Sequence, residues 1–185
     1  MFNIGDLIVY GSTGVCRITD ISTLDMSFVD KTKIYYVLQP IYHNEVIYSP
    51  IDNTKVCVRS VIPKEEAERL IDLIPTIKAE AYHNQSVQQL TEHYQKAFDS
   101  HHCANLIELI MSIYAKKQYV EEQKRKFGLV DSTFMKRAED LLYGEFSIAL
   151  GVPKEEVCSY ISARVKAVEK SSGNTAESNS PFGNM

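Results

Sequence analysis

The sequence predicts an α+β protein: a small antiparallel β-barrel of short strands over residues 1–62, followed by an all-helical bundle. Three observations predict it. Within residues 1–62, short runs rich in β-branched and aromatic residues are broken by Gly, Asn and Asp, as in a chain of short strands and tight turns. Beyond that point apolar residues recur three and four apart, the period of a helix with one buried face. Between the two regimes stands Pro63, which cannot donate to a sheet ladder but suits the first turn of a helix.

The chain is organised around residues 1–18. Phe2, Ile4, Leu7, Val9, Val15 and Ile18 supply apolar side chains at near-alternate positions, with Gly5-Asp6 and Gly11-Ser12-Thr13-Gly14 as turns. The strand pattern resumes at Ile34 to Leu38, at Val46 to Pro50 and at Val56 to Arg59. Strands this short, with turn residues between them, suit a strongly bent antiparallel barrel. Residues 63–77 read as a connecting helix: acids fill its first turn, Ala67, Leu70, Ile71 and Ile74 share a face, and Pro75 ends it. Residues 78–165 then read as further helices. The first follows Ser86 with Val87, Leu90, Tyr94, Ala97 and Phe98 inward; the second opens at a capping box, Asn105 to Glu108, with Leu106, Ile107, Ile110, Met111, Tyr114 and Val120 inward. Gly128 is the expected stop of that second helix. Asp131 or Ser132 would cap a third, ended at Gly151, and Pro153 starts a last one. From residue 166 to 185 the pattern thins into small polar residues, which predicts a disordered tail.

Composition narrows the function classes. With 44% hydrophobic and 24% charged residues the chain has globular composition, and no apolar run is long enough to span a bilayer. No basic, apolar, small-residue leader pattern opens the sequence, so the cytoplasm is the expected compartment. Cys16, Cys57, Cys103 and Cys158 are scattered without a Cys-x-x-Cys pair, which fits a reducing environment. A formal net charge of −4 argues against gripping nucleic acid through the overall field, so any DNA contact has to be local or assisted.

Catalysis and metal binding have thin support. His93, His101, His102 and Cys103 are residue types that ligate zinc, but His101, His102 and Cys103 are consecutive and do not converge on one tetrahedral ion without a fourth ligand brought from elsewhere. There is no nucleophile elbow and no phosphate-cradling glycine loop, and the carboxylates fall at helix starts and on polar faces. The expectation is a binding protein, not an enzyme, with no cofactor and no small-molecule substrate. Two stretches remain as candidate surfaces, each with a plain reading beside a functional one. Lys116-Lys117, Lys124, Arg125 and Lys126, and then Lys136 and Arg137, form either a solvated helix face or a set of phosphate contacts. Glu45, Val46, Ile47, Tyr48 and Ser49 form either an ordinary strand or an edge strand that accepts a partner strand.

The spacing of Phe2, Gly5-Asp6, Val9-Tyr10, Gly14-Val15 and Ile18, followed by Tyr36-Val37-Leu38, Pro50, Asn53 and Val58-Arg59, resembles the amino-terminal module of CarD/CdnL-type bacterial transcription regulators. Leu141 to Glu145, leading to Leu150-Gly151-Val152-Pro153 and the acids after it, resembles the end of that family's helical domain. The resemblance implies a Tudor-like (SH3-like) barrel, akin to the RNA polymerase interaction domain of the transcription-repair coupling factor. Such a barrel binds the polymerase β subunit by extending a sheet, here through residues 45–49. It further implies that the helical domain touches promoter DNA near the upstream edge of the melted region and stabilises the open complex without reading bases. Lys124, Arg125, Lys126, Lys136 and Arg137 are the expected DNA-facing cations.

Two positions depart from the family pattern. Where relatives carry a tryptophan that wedges into the minor groove, this chain has Leu90, which serves either as an apolar wedge or as core, since it lies on the Val87, Leu90, Tyr94 stripe. Where some relatives carry an arginine on the polymerase-facing strand, this chain has Tyr48, whose ring and hydroxyl can also anchor an interface. The alternative function is a protein-interaction adaptor of the polymerase that never touches DNA.

Overall fold

A computed structural model describes residues 1–25, 27, 30–171 and 181–183. The chain divides into two compact units, Met1–Ile62 and Pro63–Met185.

The first unit is a five-stranded antiparallel sheet of β1 (Leu7–Tyr10), β2 (Gly14–Thr23), β3 (Ile34–Pro40), β4 (Ile47–Pro50) and β5 (Val58–Ser60), in the order β4-β3-β2-β1-β5. A single 3-10 turn, Gly11–Thr13, joins β1 to β2. Gly11 is required there: its φ is +45°, and a Cβ would lie 2.8 Å from Val56 Cγ1. That close approach lets the Gly11 N–H reach the Cys57 carbonyl at 2.9 Å, which seats β5 beside β1. Between Ile18 and Asp20 the β2–β3 register shifts, and Thr19 Oγ1 donates to the Val37 carbonyl at 3.1 Å. A bulge of this kind bends a strand and sharpens its twist. One face of the sheet buries Ile8, Cys16, Ile18, Tyr36 and Leu38, with Phe2, Tyr10, Ile21, Ile47, Ile51 and Val58 around them.

The expected barrel is not closed by hydrogen bonding between its outer strands. Among the described residues β4 and β5 are the two edges of an open sheet. Both are short, at four and three residues, and β4 ends in Pro50, which has no N–H to offer a closing partner.

The second unit contains α1 (Lys64–Leu73), α2 (Val87–Asp99), α3 (Cys103–Glu122), α4 (Leu129–Leu150) and α5 (Val157–Ser171). The connecting segment expected at residues 63–77 is part of this unit. Ala67, Leu70, Ile71 and Ile74 are buried, and α1 is tied to α5 by a bidentate Arg164–Asp72 pair at 2.6 and 2.9 Å and by Tyr160 Oη donating to Glu68 at 3.2 Å. Ser86 caps α2, accepting from the Gln89 N–H at 3.3 Å. Helix α3 begins two residues before the expected capping box, at Cys103, whose buried thiol lies 3.1 Å from the buried Glu145 carboxylate of α4. It ends where Lys124 adopts a left-handed φ of +55° and the Arg125 N–H reaches back to the Val120 carbonyl at 2.8 Å. Gly128 is the residue before α4, not the stop of α3, and Asp131 lies inside the first turn of α4 instead of capping it. Gly151 closes α4 in the left-handed conformation, φ 69° and ψ 33°.

Helix α5 runs to Ser171, five residues past the point where the polar tail was expected to begin. Of that tail, residues 172–180 and 184–185 lie outside the described residues. Pro181–Gly183 forms a 3-10 turn, and Phe182 is only 2% exposed.

Candidate functional site

In the first unit the feature that can act on a partner is the free edge of β4. Its pairing with β3 sets Tyr36 opposite Ser49, Val37 opposite Tyr48 and Leu38 opposite Ile47. Continuing that register, the Ile51 N–H donates to the Ile34 carbonyl at 3.0 Å, so residues 47, 49 and 51 aim their backbone groups at β3. The alternation then turns the N–H and C=O of Tyr48 outward, to the open side of the sheet. Side chains alternate in the same way. Ile47 packs on the core and Ser49 is buried, whereas Tyr48 and Val46 are exposed at 37% and 49%. Glu45, also exposed, precedes them and adds to the burial that pushes the Cys16 thiol up to about 11. Ile34, at the start of β3, is a further exposed apolar side chain near this edge. The edge thus offers a short ladder of unpaired backbone groups flanked by a ring and aliphatic side chains, which is the surface needed to receive an added strand.

The model of the CarD-like/TRCF RID domain family matches residues 2–62. Residues 2–62 are thus similar to that domain. The RID domain is an RNA polymerase interaction domain, a binding and not a catalytic module. Its matched span coincides with the compact sheet unit and contains the β4 edge. No curated protein matches the chain.

In the helical unit the cations expected to face DNA differ in exposure. Lys124, Arg125 and Lys126 are exposed in the connection after α3, and Lys136 is exposed about two turns into α4. Arg137 is used internally: its guanidinium lies 4.3 Å from the Phe98 ring centroid and donates to Gln95 Oε1 at 3.3 Å. Lys116 is withdrawn altogether. It is 7% exposed and its Nζ bonds Asp131 Oδ1 at 2.8 Å. The same oxygen accepts the Tyr94 hydroxyl at 2.7 Å, so one carboxylate ties α2, α3 and α4 together. Burial first, and the Asp131 carboxylate second, push the Tyr94 phenol well above its usual range. The carboxylate also explains Gly128, since a Cβ there would meet Asp131 Oδ2 at 2.6 Å.

Leu90 is 6% exposed and lies with Tyr94 and Phe98 on the buried face of α2. A wedge role would require it to leave the core. The histidines diverge: His93 stacks on Tyr82 with ring centroids 3.7 Å apart, His102 is exposed, and Cys103 turns to Glu145. Among the described residues no group of three or more His, Cys, Asp or Glu is placed to hold a metal ion. A cleft of about 600 Å³ between residues 76–80, α2 and α3 carries Lys78 and Lys96 against Glu80 and Glu108, so it presents no charge of one sign. No described helix is long and apolar enough to cross a membrane.

The Asp131 hub and buried Phe182 are the features that sequence reasoning missed. Asp131 carries a capping residue's signature, and only its distance from Lys116 and Tyr94 in the fold separates the two roles. Phe182 does leave a signal, being the sole aromatic residue after Tyr160.

Proposed function

We propose that this protein is a transcription regulator that docks on the RNA polymerase β subunit by adding a strand along β4. Its helical unit then touches promoter DNA through phosphates and stabilises the open complex. The observation that carries the reading is the free β4 edge with Tyr48 at its centre, inside a sequence span that matches the model of an RNA polymerase interaction domain. Main-chain hydrogen bonds supply the affinity of such a joint, and the Tyr48 ring and Val46 supply selectivity. The DNA contact falls to Lys124, Arg125, Lys126 and Lys136, the exposed members of the basic set. Few phosphate contacts and a net charge of −4 make this contact weak by itself. Binding to polymerase raises the local concentration of the helical unit near DNA, so a weak contact suffices.

A second reading, an adaptor without DNA contact, is favoured by the burial of Leu90 and Lys116 and by the packing of Arg137 on Phe98. One experiment separates the two: the dissociation lifetime of open promoter complexes of the cognate polymerase, with and without this protein, at two salt concentrations. The regulator reading expects a longer lifetime whose gain shrinks at higher salt, while the adaptor reading expects polymerase binding with no change in lifetime. Tyr48→Pro tests the joint itself. The Tyr48 N–H faces away from β3, so proline there costs the sheet no internal ladder bond but removes the donor a partner strand needs. Binding to the isolated β-subunit lobe should fall at least about tenfold, which is about 1.4 kcal/mol. Unchanged binding of a folded Tyr48→Pro protein would place the polymerase contact elsewhere.

A further inference from the structure

The carboxy-terminal turn is seated in the helical unit. Phe182 is 2% exposed and Pro181 is buried beside it. The Phe182 ring meets the Tyr143 ring of α4 edge-on, with centroids 6.4 Å apart and planes at 63°. Its carbonyl lies 3.9 Å from Cys158 Sγ of α5, and the turn also packs on α3. Three helices therefore form the walls of a slot that one aromatic side chain fills.

The sequence around that side chain is unlike the sequence of the helices. Residues 172–180 are SGNTAESNS, small and polar throughout, and they carry no apolar stripe that would bring the turn to this place by itself. The turn is held by the fit of its own proline and phenylalanine. A lone apolar anchor set in a polar stretch and inserted into a preformed slot is how short peptide segments bind folded domains.

We propose that the slot between α3, α4 and α5 is a peptide-docking site for a proline-phenylalanine-glycine segment, whose resident ligand is this chain's own Pro181–Gly183. The segment is joined covalently to α5 through residues 172–180, so its binding is intramolecular. The site is therefore closed in the free protein, and a competing segment of the same chemistry, carried by another protein, opens it only if it binds better than the tail does.

The full-length protein with Phe182→Ala tests this, with Cys158 as the reporter because its sulfur borders the slot. The readout is the rate of Cys158 alkylation by iodoacetamide, followed by mass spectrometry, with Cys57 of the sheet unit as internal control and helical circular dichroism as the check on folding. Phe182→Ala should raise the Cys158 rate at least fivefold and leave Cys57 unchanged. Adding the peptide of residues 174–185 at millimolar concentration should return the Cys158 rate toward the wild-type value, and the same peptide with alanine in place of phenylalanine should not. Phe182→Leu, which keeps an apolar anchor, should give an intermediate rate. The proposal is overturned if Cys158 reacts at the wild-type rate in Phe182→Ala. It is equally overturned if the raised rate does not respond to the peptide, because the tail is then packing and not a ligand.

Discussion

The two units put their polar groups to opposite use. In the sheet unit the backbone N–H and C=O of Tyr48 at the β4 edge face outward, away from β3. In the helical unit, polar side chains are turned inward. Lys116 and Tyr94 close on Asp131, Cys103 closes on Glu145, and Arg137 lies on Phe98. A backbone edge cannot be satisfied by a change of rotamer, so it stays available to a partner; a long cationic side chain can fold back onto its own protein and be lost to one. Binding capacity is therefore more securely inferred from strand order than from a count of lysines and arginines.

The largest expected effect breaks the inward-turned half of this comparison. Asp131→Ala leaves the Lys116 ammonium, 9% exposed as a side chain, without its carboxylate, and removes the acceptor of the Tyr94 hydroxyl. Breaking a buried pair from one side costs about 3–5 kcal/mol, which urea denaturation would read as a lower midpoint at unchanged slope. The double variant Lys116→Met with Asp131→Leu, which removes both charges, should recover much of that loss, because desolvating the pair offsets most of its attraction. If the double variant is as unstable as Asp131→Ala, the hub acts through the Tyr94 hydrogen bond more than through charge.

The next effect sharpens the distinction between exposed and recruited cations. Lys124→Ala, Arg125→Ala and Lys126→Ala together should leave stability within about 0.5 kcal/mol, as surface substitutions do, but lower the salt dependence of the open-complex lifetime by up to about three phosphate contacts. Arg137→Ala should behave in the opposite way. It forfeits the stacking on Phe98 and the bond to Gln95, about 1 kcal/mol, with little change in salt dependence. A salt slope that falls more for Arg137→Ala than for the triple variant would move the DNA contact onto α4.

The same contrast explains which parts of the molecule were legible in the sequence. Strands and helices announce themselves through local periodicity, so the runs from Ile34, Val46 and Val56, which overlap β3, β4 and β5, and the stripes Ala67, Leu70, Ile71, Ile74 and Leu90, Tyr94, Phe98 could be read directly. Periodicity fails where a helix is packed on several sides. In α3, Leu109 and Ile113 are buried beside the expected Leu106, Ile107 and Ile110, while Met111, Tyr114 and Val120 are only half-buried, since the helix meets α2, α4 and the Phe182 turn at once. Val87, counted on the α2 stripe, is 63% exposed because it is the helix's first residue and projects past the core. Sheet closure, the Asp131 hub and the seating of Phe182 depend on contacts across long sequence separations, and nothing local encodes them. For the candidate site, the strand expected at residues 45–49 overlaps β4, with Glu45 and Val46 just before it, and its place at the edge follows from strand order in space. The basic run was visible too, but not which members fold inward.

The smallest expected effect concerns a pair between helices that solvent still reaches. The Arg164 guanidinium bonds Asp72 through both carboxylate oxygens, with side chains 32% and 39% exposed, and Arg164 Nη1 lies 3.4 Å from Glu68. Hydrogen bonds from Arg164, and then its charge, hold the Asp72 carboxyl below the usual carboxylate range. A depressed folded-state pKa means that the unfolded chain takes up the proton first, so the stabilisation is complete above about pH 4, the unfolded value, and is lost as pH falls through the lower folded value. Asp72→Asn should therefore be less stable than the wild type at pH 7 by about 0.2–1 kcal/mol, the range of solvent-screened pairs. The gap should narrow at about pH 2.5, below the unfolded value of Asp72. Urea denaturation of both proteins at the two pH values measures it. A gap that persists in acid would mean that Asp72 ties α1 to α5 by its shape and hydrogen bonding, with charge secondary, and would bring this pair closer to the buried Asp131 hub than to the exposed cations after α3.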